Sequence, residues 1–246
     1  MSGVLLAFSW LTVLPLRGPS TVGRVAGGRA IRAAPLTGAA LGILAAGLLW
    51  AFVRVGLEPA LAGLLTVGAL ALATRGMHID GLSDTVDGLG CYGTPERARA
   101  VMHGGGAGPF GVCALVICLG AQGLAFGSLA AAGQFGCVAV AVAAGRVAVV
   151  FACRRGVPAS STEGFGALVA ETQSRWVGVA WAFPLLVAAA WCATPWWQGI
   201  VVAPVALTLT GLLVAHCARR FEGINGDVLG AALEITAVVT AIGLGL

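Results

Sequence analysis

Seven long apolar runs dominate this chain and leave it little choice of fold. Their approximate limits are 33–53, 59–74, 109–128, 135–153, 176–193, 198–217 and 228–246. A helix that crosses a bilayer needs about 20 predominantly apolar residues, and most of these runs approach that length, although the second is short. Only 10% of the residues are charged, whereas soluble domains average about 25%. The sequence therefore predicts an all-α, polytopic integral membrane protein with about seven transmembrane helices.

A shorter apolar stretch precedes the seven runs. Val4 to Leu16 is apolar but too short to cross a bilayer. It has neither a basic leading region nor a small-residue cleavage site, so a signal peptide is not expected. We expect the segment from Phe8 to Pro15 to be a short interfacial or re-entrant element.

Two polar islands hold all four aspartates of the chain. Three aspartates lie within His78–Gly88, and the fourth lies within Asn225–Asp227. One charge at the centre of a membrane costs about 2.5–3.5 kcal/mol even on the lenient insertion scale. Three together would cost roughly 8–10 kcal/mol if nothing offset them. A divalent cation is the natural compensation, so the pattern predicts a metal-dependent site at a membrane surface.

The first island has the spacing of one helix face. Asp80, Asp84 and Asp87 stand at positions i, i+4 and i+7. Mg²⁺ and Mn²⁺ prefer such hard oxygen ligands, so these three are the predicted metal ligands and catalytic residues. His78 is a candidate proton acceptor or hydrogen-bond donor, and Gly81 and Gly88 leave room for a ligand or a neighbouring helix. A solvated acidic loop and the ion pathway of a cation-coupled transporter remain alternatives.

The second island supplies predicted substrate-binding residues. Asp227 and Glu234 are seven residues apart and would share a helix face, with Asn225 just before them. Glu234 lies inside an apolar run, where a carboxylate is a functional candidate by default. The alternatives are a helix N-cap for Asp227 and a structural ion pair for Glu234.

Two further charges are candidates for substrate binding. Arg146 is the one cation predicted to lie within a span, where it could hold a phosphate or pair with Glu234. Glu163 lies in a polar connection, and a solvated loop charge is its alternative interpretation. His103 and His216 carry no clear signal.

The basic residues predict the orientation of the protein. All fourteen are arginines, and with a cytoplasmic N-terminus twelve fall in the inner segments, Arg54 lies outside and Arg146 lies within a span. The twelve are Arg17, Arg24, Arg29, Arg32, Arg75, Arg97, Arg99, Arg154, Arg155, Arg175, Arg219 and Arg220. This bias places both islands on the cytoplasmic side. The net charge of +4 suits phosphate substrates or membrane lipid headgroups and does not call for nucleic acid.

The motifs resemble those of the cobalamin synthases, the adenosylcobinamide-GDP ribazoletransferases. The eleven residues His78–Gly88 are similar to the family pattern H-x-D-G-L-A-D-x-x-D-G. Phe8–Pro15 resembles its F-x-T-x-L-P segment, Ala34–Gly38 its P-x-x-G helix, and Asn225–Ala231 its G-D-x-L-G-A motif. The resemblance spans nearly the whole chain, although a bare D-x-x-D-G also occurs in CDP-alcohol phosphotransferases.

The resemblance implies a single transmembrane catalytic domain over residues 1–246, in the bacterial cytoplasmic membrane with its active site facing the cytoplasm. It implies that α-ribazole, or its 5′-phosphate, is joined to adenosylcobinamide-GDP with release of GMP. Mg²⁺ is the expected cofactor, with Mn²⁺ as a substitute, and a homo-oligomer is left open. A CDP-alcohol-type phosphotransferase of lipid synthesis is the alternative enzyme.

One segment departs from the family pattern. Where relatives show M-R-D-S-R-x-G-x-x-G, this chain has Met102-His103-Gly104-Gly105-Gly106-Ala107-Gly108-Pro109-Phe110-Gly111. The charged residues are missing, so any phosphate or metal contact made there in relatives is in doubt here. A glycine-rich loop that opens a helix could still offer backbone N–H groups to a phosphate.

Overall fold

The chain folds into helices throughout the part described in this computed structural model, residues 2–16 and 21–246. Eleven helices follow one another in these ranges. They are α1 Gly3–Leu11, α2 Arg24–Arg54, α3 Pro59–Ala73, α4 Met77–Gly90, α5 Pro95–Met102, α6 Pro109–Ala131, α7 Phe135–Ala152, α8 Gly164–Val169, α9 Arg175–Cys192, α10 Trp196–Arg220 and α11 Gly226–Leu244.

Six of these helices are long and apolar enough to cross a membrane: α2, α6, α7, α9, α10 and α11. The bent pair of α3 and α4 would be a seventh span if it counts as one. The prediction of an all-α polytopic membrane protein with about seven spans is thus confirmed. The largest boundary difference is at α2, which begins at Arg24 rather than at residue 33, because hydropathy alone ends a run at the arginines that begin this helix.

The short second run ends in a sharp turn that sets the aspartates apart. Arg75 and Gly76 both adopt left-handed backbone angles, with φ of 58° and 69°. They rotate α4 by 96° away from α3. Asp80, Asp84 and Asp87 therefore lie on a separate helix of 14 residues, as their spacing predicted.

Two glycines let α4 pack closely on α11. A Cβ atom at Gly81 would lie 2.8 Å from the Asp227 backbone, and one at Gly230 would lie 3.1 Å from that of His78. Side chains at these positions would force the helices apart, as is common where membrane helices cross at small residues. This crossing brings the two polar islands together, and the room predicted at Gly81 is filled by a neighbouring helix.

The N-terminal segment forms the short helix α1. Leu6 and Ala7 are buried against Ala30 and Ala33 of α2. Its position at an interface or as a re-entrant element stays a prediction. Of the twelve inner arginines, Arg17 lies outside the described residues.

The connection between α7 and α8 is joined to the residues just before α11 by backbone hydrogen bonds. Ser160 N donates to Ile224 O at 3.0 Å, and Ile224 N donates to Pro158 O at 2.8 Å. The segment from Ser160 to Gly164 is thereby held beside Asn225.

Candidate active site

A large cavity lies where the two polar islands meet. Its volume is about 1080 Å³, and α4, α5, the 104–108 loop, the 160–164 segment and the start of α11 surround it. Five predicted site residues line it: Asp80, Asp84, Glu163, Asn225 and Asp227. The arrangement thus unites residues that are up to 147 positions apart in the sequence, since 227 − 80 = 147.

Asp80, Asp84 and Asp227 form an acidic wall of this cavity, and their negative charges repel one another. Asp84 is partly removed from solvent and lies among the negative charges of Asp80, Asp227 and Asp87, which repel its own. Asp80 and Asp84 are one helical turn apart on α4, and Asp227 faces them from α11. Such a cluster favours the binding of a cation or of a proton.

Asp87 has a different environment from the other aspartates. Its two carboxylate oxygens accept hydrogen bonds from Gly108 N at 2.7 Å and Gly111 N at 2.9 Å, at the beginning of α6. The side chain is buried, and Asp87 is not among the residues lining the large cavity. The carboxylate therefore satisfies two N–H groups that the first turn of a helix cannot pair internally.

Some of the backbone N–H groups at the end of the glycine-rich loop are therefore already hydrogen-bonded within the protein. Gly108 N and Gly111 N bind Asp87, while Gly105 and Gly106 line the large cavity. Whether the loop also holds a phosphate stays a prediction.

Asn225 fixes the beginning of α11. It is the N-cap, and its side-chain oxygen accepts a hydrogen bond from Val228 N at 3.0 Å. Its Nδ2 donates to Asp227 Oδ2 at 2.7 Å. The alternative of an N-cap role for Asp227 is therefore wrong, since Asn225 occupies that position. Asp227 lies in the first turn, where a carboxylate is favoured by the helix dipole.

Glu163 lines the large cavity from the segment that precedes α8. It is exposed and precedes α8, and its backbone N–H donates a hydrogen bond to the Ser161 hydroxyl at 3.1 Å. Its side chain makes no capping hydrogen bond to α8. Both the substrate-binding role and the solvated-loop alternative remain compatible with this position.

Arg99 and His103 are cavity residues that the sequence did not single out. Arg99 Nη1 donates to Phe221 O at 2.8 Å and pairs with Glu222 at 2.7 Å, which ties α5 to the end of α10. Its Nη2 is 3.7 Å from Glu96, whose pKa the Thr94 hydroxyl lowers, so that this carboxylate stays ionised. The sequence indicates Arg99 only as one of the twelve arginines predicted to be cytoplasmic, and it gives no clear signal for His103.

A second, smaller cavity of about 360 Å³ adjoins the first. The two share Asp80, Phe165, Gly226 and Asp227. His78 and Arg146 line the smaller cavity and are not among the residues lining the larger one. The predicted site residues are thus divided between two adjoining spaces.

Arg146 lines the smaller cavity and also adjoins the largely buried Glu234, which is not among the residues lining either cavity. No contact within 4.0 Å joins their charged groups among the described ion pairs, so the predicted structural pair is not formed directly. Both line a narrow space of about 20 Å³. Glu234 Oε1 is 3.9 Å from His78 Nδ1, which is beyond hydrogen-bond distance.

Comparison with known proteins decides the family. A family model described as cobalamin-5-phosphate synthase matches residues 3–245. The chain belongs to this family. It is 39% identical to an adenosylcobinamide-GDP ribazoletransferase of Nocardioides, over 96% of this chain and 95% of that protein. It is 36% identical to one of Corynebacterium efficiens, over 98% and 90% of the two chains. No solved structure matches the chain.

Membership of the cobalamin-5-phosphate synthase family confirms the resemblance drawn from the motifs. The family model covers the N-terminal helix α1, the aspartate helix α4 and the first turn of α11 in one match. The large cavity is lined by residues of two of the motifs, His78–Gly88 and Asn225–Ala231.

The carboxylates of the acidic wall are suited to only part of the ligand set of Mg²⁺, the metal that the sequence predicts. In residues 2–16 and 21–246, no three His, Cys, Asp or Glu side chains are arranged to hold a metal ion by themselves. Magnesium is usually bound by one or two carboxylates together with waters and substrate phosphate. Asp80 and Asp84, with Asp227 opposite, provide such an incomplete set and so fit a Mg²⁺ shared with a phosphate. The ligand role of Asp87 stays a prediction, since its two oxygens have other partners.

Proposed function

We propose that this chain joins α-ribazole, or its 5′-phosphate, to adenosylcobinamide-GDP and releases GMP. The product is adenosylcobalamin or its 5′-phosphate. Family membership and the names of the relatives support this proposal. The observation that carries it is the convergence of both aspartate islands on one cavity of about 1080 Å³. That volume is at the upper end of ordinary ligand pockets, about 300–1,000 Å³, as a bulky nucleotide substrate requires.

The reaction is a displacement at phosphorus. The ribose 3′-hydroxyl oxygen forms a bond to the phosphate that carries the aminopropanol arm. The bond between that phosphorus and the oxygen bridging the two phosphates breaks, and GMP leaves with the bridging oxygen. The hydroxyl proton passes to a base, for which the aspartates Asp80, Asp84 and Asp227 of the cavity are the candidates. Such transfers depend mostly on positioning and on charge stabilisation.

Each side chain of the site then has a separate task. Asp80 and Asp84 would hold Mg²⁺, which supplies charge stabilisation for the phosphate oxygens when it is bound. Asn225 orients Asp227 through the 2.7 Å hydrogen bond. Asp87 positions the α6 end of the glycine-rich loop against α4. Arg99 is near enough to the cavity to meet a phosphate, although two carboxylates already neutralise it in part.

We further propose that the protein lies in the bacterial cytoplasmic membrane with this cavity facing the cytoplasm. The bias of the arginines supports this orientation. The cavity is bounded by α5, which contains Arg97 and Arg99, and by the 160–164 segment, which follows Arg154 and Arg155.

The deciding experiment measures GMP by mass spectrometry with purified protein in lipid nanodiscs. GMP should appear only when adenosylcobinamide-GDP and α-ribazole are both present. Asp84→Asn should abolish its release, whereas the control variant Gln134→Ala, which is remote from the cavity, should leave it unchanged. Release of GMP without α-ribazole would indicate simple hydrolysis and contradict the proposal.

The same preparation tests the two alternatives. A CDP-alcohol donor replaces adenosylcobinamide-GDP to test lipid synthesis, and release of CMP would favour that function. Sealed proteoliposomes test ion transport. Cation flux that depends on Asp84, in the absence of any GMP release, would favour the transporter.

A further inference from the structure

The smaller cavity has a different chemical character from the larger one. Most of its wall is apolar and comes from α1, α2, α7 and α11, including Trp10, Ile31, Ala34, Val149 and Leu233. Its polar side chains are His78, Asp80, Arg146 and Asp227. An apolar space with a few convergent polar groups is the usual form of a small-molecule site.

Two polar atoms in this wall lack partners. His78 Nδ1 and Arg146 Nε are buried and accept or donate no hydrogen bond within the described part of the chain. The two residues are only 5% and 4% exposed. Leaving a buried polar group unsatisfied costs about 1–3 kcal/mol, so a ligand that supplies partners would remove that penalty.

The position of the cavity restricts its occupant. It opens onto the large cavity at Asp80, Asp227 and Phe165, beside the place where the phosphate is expected. Trp10 and Phe165 meet there edge to face, with ring centroids 5.2 Å apart. A ligand held in the small cavity would therefore emerge past an aromatic pair and present its exposed end to the aspartates.

One of the two proposed substrates has matching chemistry. The amide-bearing macrocycle of adenosylcobinamide-GDP is too large for about 360 Å³, and its guanine nucleotide is too polar for the mostly apolar wall. The ribazole has a flat, weakly polar bicyclic base with a ring nitrogen, joined to a ribose that carries the reacting hydroxyl. With the base in the apolar cavity, the ribose would lie at its mouth, next to Asp80 and Asp227.

Building on the proposed function, we infer that the smaller cavity binds the aromatic base of the ribazole substrate and aims its ribose at the acidic wall. His78 and Arg146 contribute polar contacts to this base or to the sugar. Trp10 and Ile31 shape the space, so α1 is part of the substrate site. Their size sets which bases the enzyme accepts.

The first test fills the cavity. Ala34→Leu places a larger side chain in its wall, and the matched control Ala188→Leu does the same in a separate apolar cavity of about 290 Å³ between α2, α7 and α9. Ala34→Leu should raise the KM for α-ribazole by about tenfold or more, as expected for pocket changes of a few methyl groups. The KM for adenosylcobinamide-GDP should stay within about twofold, and the control should change neither value.

The second test enlarges the cavity, and it serves if Ala34→Leu fails to fold. Ile31→Ala should increase kcat/KM for a ribazole analogue with a tricyclic base, relative to α-ribazole, by about tenfold. An unchanged ratio in a folded Ile31→Ala protein, or equal rises in both KM values for Ala34→Leu, would overturn the inference.

A binding measurement separates this inference from the proposed function. Isothermal titration of α-ribazole into the wild-type protein in nanodiscs should give a heat that Ala34→Leu greatly weakens and Ala188→Leu does not. If this pattern appears without any release of GMP, the binding site stands and the proposed reaction fails. If GMP is released but α-ribazole binds wild type and Ala34→Leu equally, the inference fails alone, and a lipid chain becomes the better occupant.

Discussion

Gly81 of α4 lies in direct contact with the backbone of Asp227 at the beginning of α11. A Cβ atom at position 81 would be 2.8 Å from both the α-carbon and the carbonyl oxygen of Asp227. The distance between the two aspartate islands is therefore set by the absence of a side chain at Gly81. A change of helix spacing here would move Asp227 relative to Asp80 and Asp84.

Gly81→Ala is expected to lower both stability and turnover. The added methyl group meets backbone atoms that cannot rotate away, so α4 must shift from α11. The matched control is Gly68→Ala on α3, where an added Cβ has open space. Because alanine is favoured over glycine within helices by about 0.5–1 kcal/mol, the control should keep or slightly raise the melting temperature. Thermal unfolding and GMP release measure the two effects; a fully active Gly81→Ala enzyme would contradict the close packing.

Asp84→Asn and Asp87→Asn should separate catalysis from positioning. Asp87→Asn loses charge-assisted hydrogen bonds to Gly108 and Gly111, each worth about 1.5–3 kcal/mol, and should lower the melting temperature. Asp84→Asn relieves repulsion, so stability should be kept or rise, while turnover falls by about 10²-fold or more. The two melting curves, measured in the same detergent, decide the assignment. Equal destabilisation by both would contradict it.

Magnesium should stabilise the protein through the acidic wall. A cation between Asp80 and Asp84 offsets the repulsion that Asp84 experiences. Adding Mg²⁺ should therefore raise the melting temperature of the wild type but have little effect on the double variant Asp80→Asn with Asp84→Asn. EDTA should abolish GMP release, and Mg²⁺ or Mn²⁺ should restore it. Full activity in excess chelator would exclude the metal-dependent reaction.

The orientation can be tested by cysteine labelling. A cysteine at Ser161, exposed beside the cavity, should react with an impermeant thiol reagent only from the cytoplasmic face of inside-out vesicles. A cysteine at Ala132, in the connection after α6, should react only from the opposite face. The experiment uses a background in which the seven native cysteines are replaced. Labelling of Ser161→Cys from the outer face alone would invert the model.

The sequence was sufficient to predict the spans and the placement of Asp80 and Asp84 on one helix. Apolar runs predict spans because the hydrocarbon core of a membrane excludes polar side chains. The i, i+4 spacing of Asp80 and Asp84 predicts that they share one face of a helix. The contact between this helix and Asp227 depends on Gly81 and Gly230. It could not be predicted, because the sequence does not indicate which helix packs against a given glycine.

Other parts of the site depend on contacts that no spacing reveals. The oxygens of Asp87 are engaged by backbone groups of α6, which a list of acidic residues cannot distinguish from a metal ligand. Arg99 reaches the cavity through the fold of the connection between α4 and α6. His78 and Asp84 lie on different sides of α4, and which cavity each side lines depends on the neighbouring helices.

The crossing of α4 and α11 also determines when the site can exist during synthesis. The aspartate helix emerges from the ribosome more than a hundred residues before Asn225 and Asp227. Until α11 inserts, Gly81 has no helix against it, and the large cavity lacks one of its walls. The cavity is therefore completed by the last helix of the described fold, so an arrested nascent chain that ends before α11 contains the aspartate helix without a complete cavity.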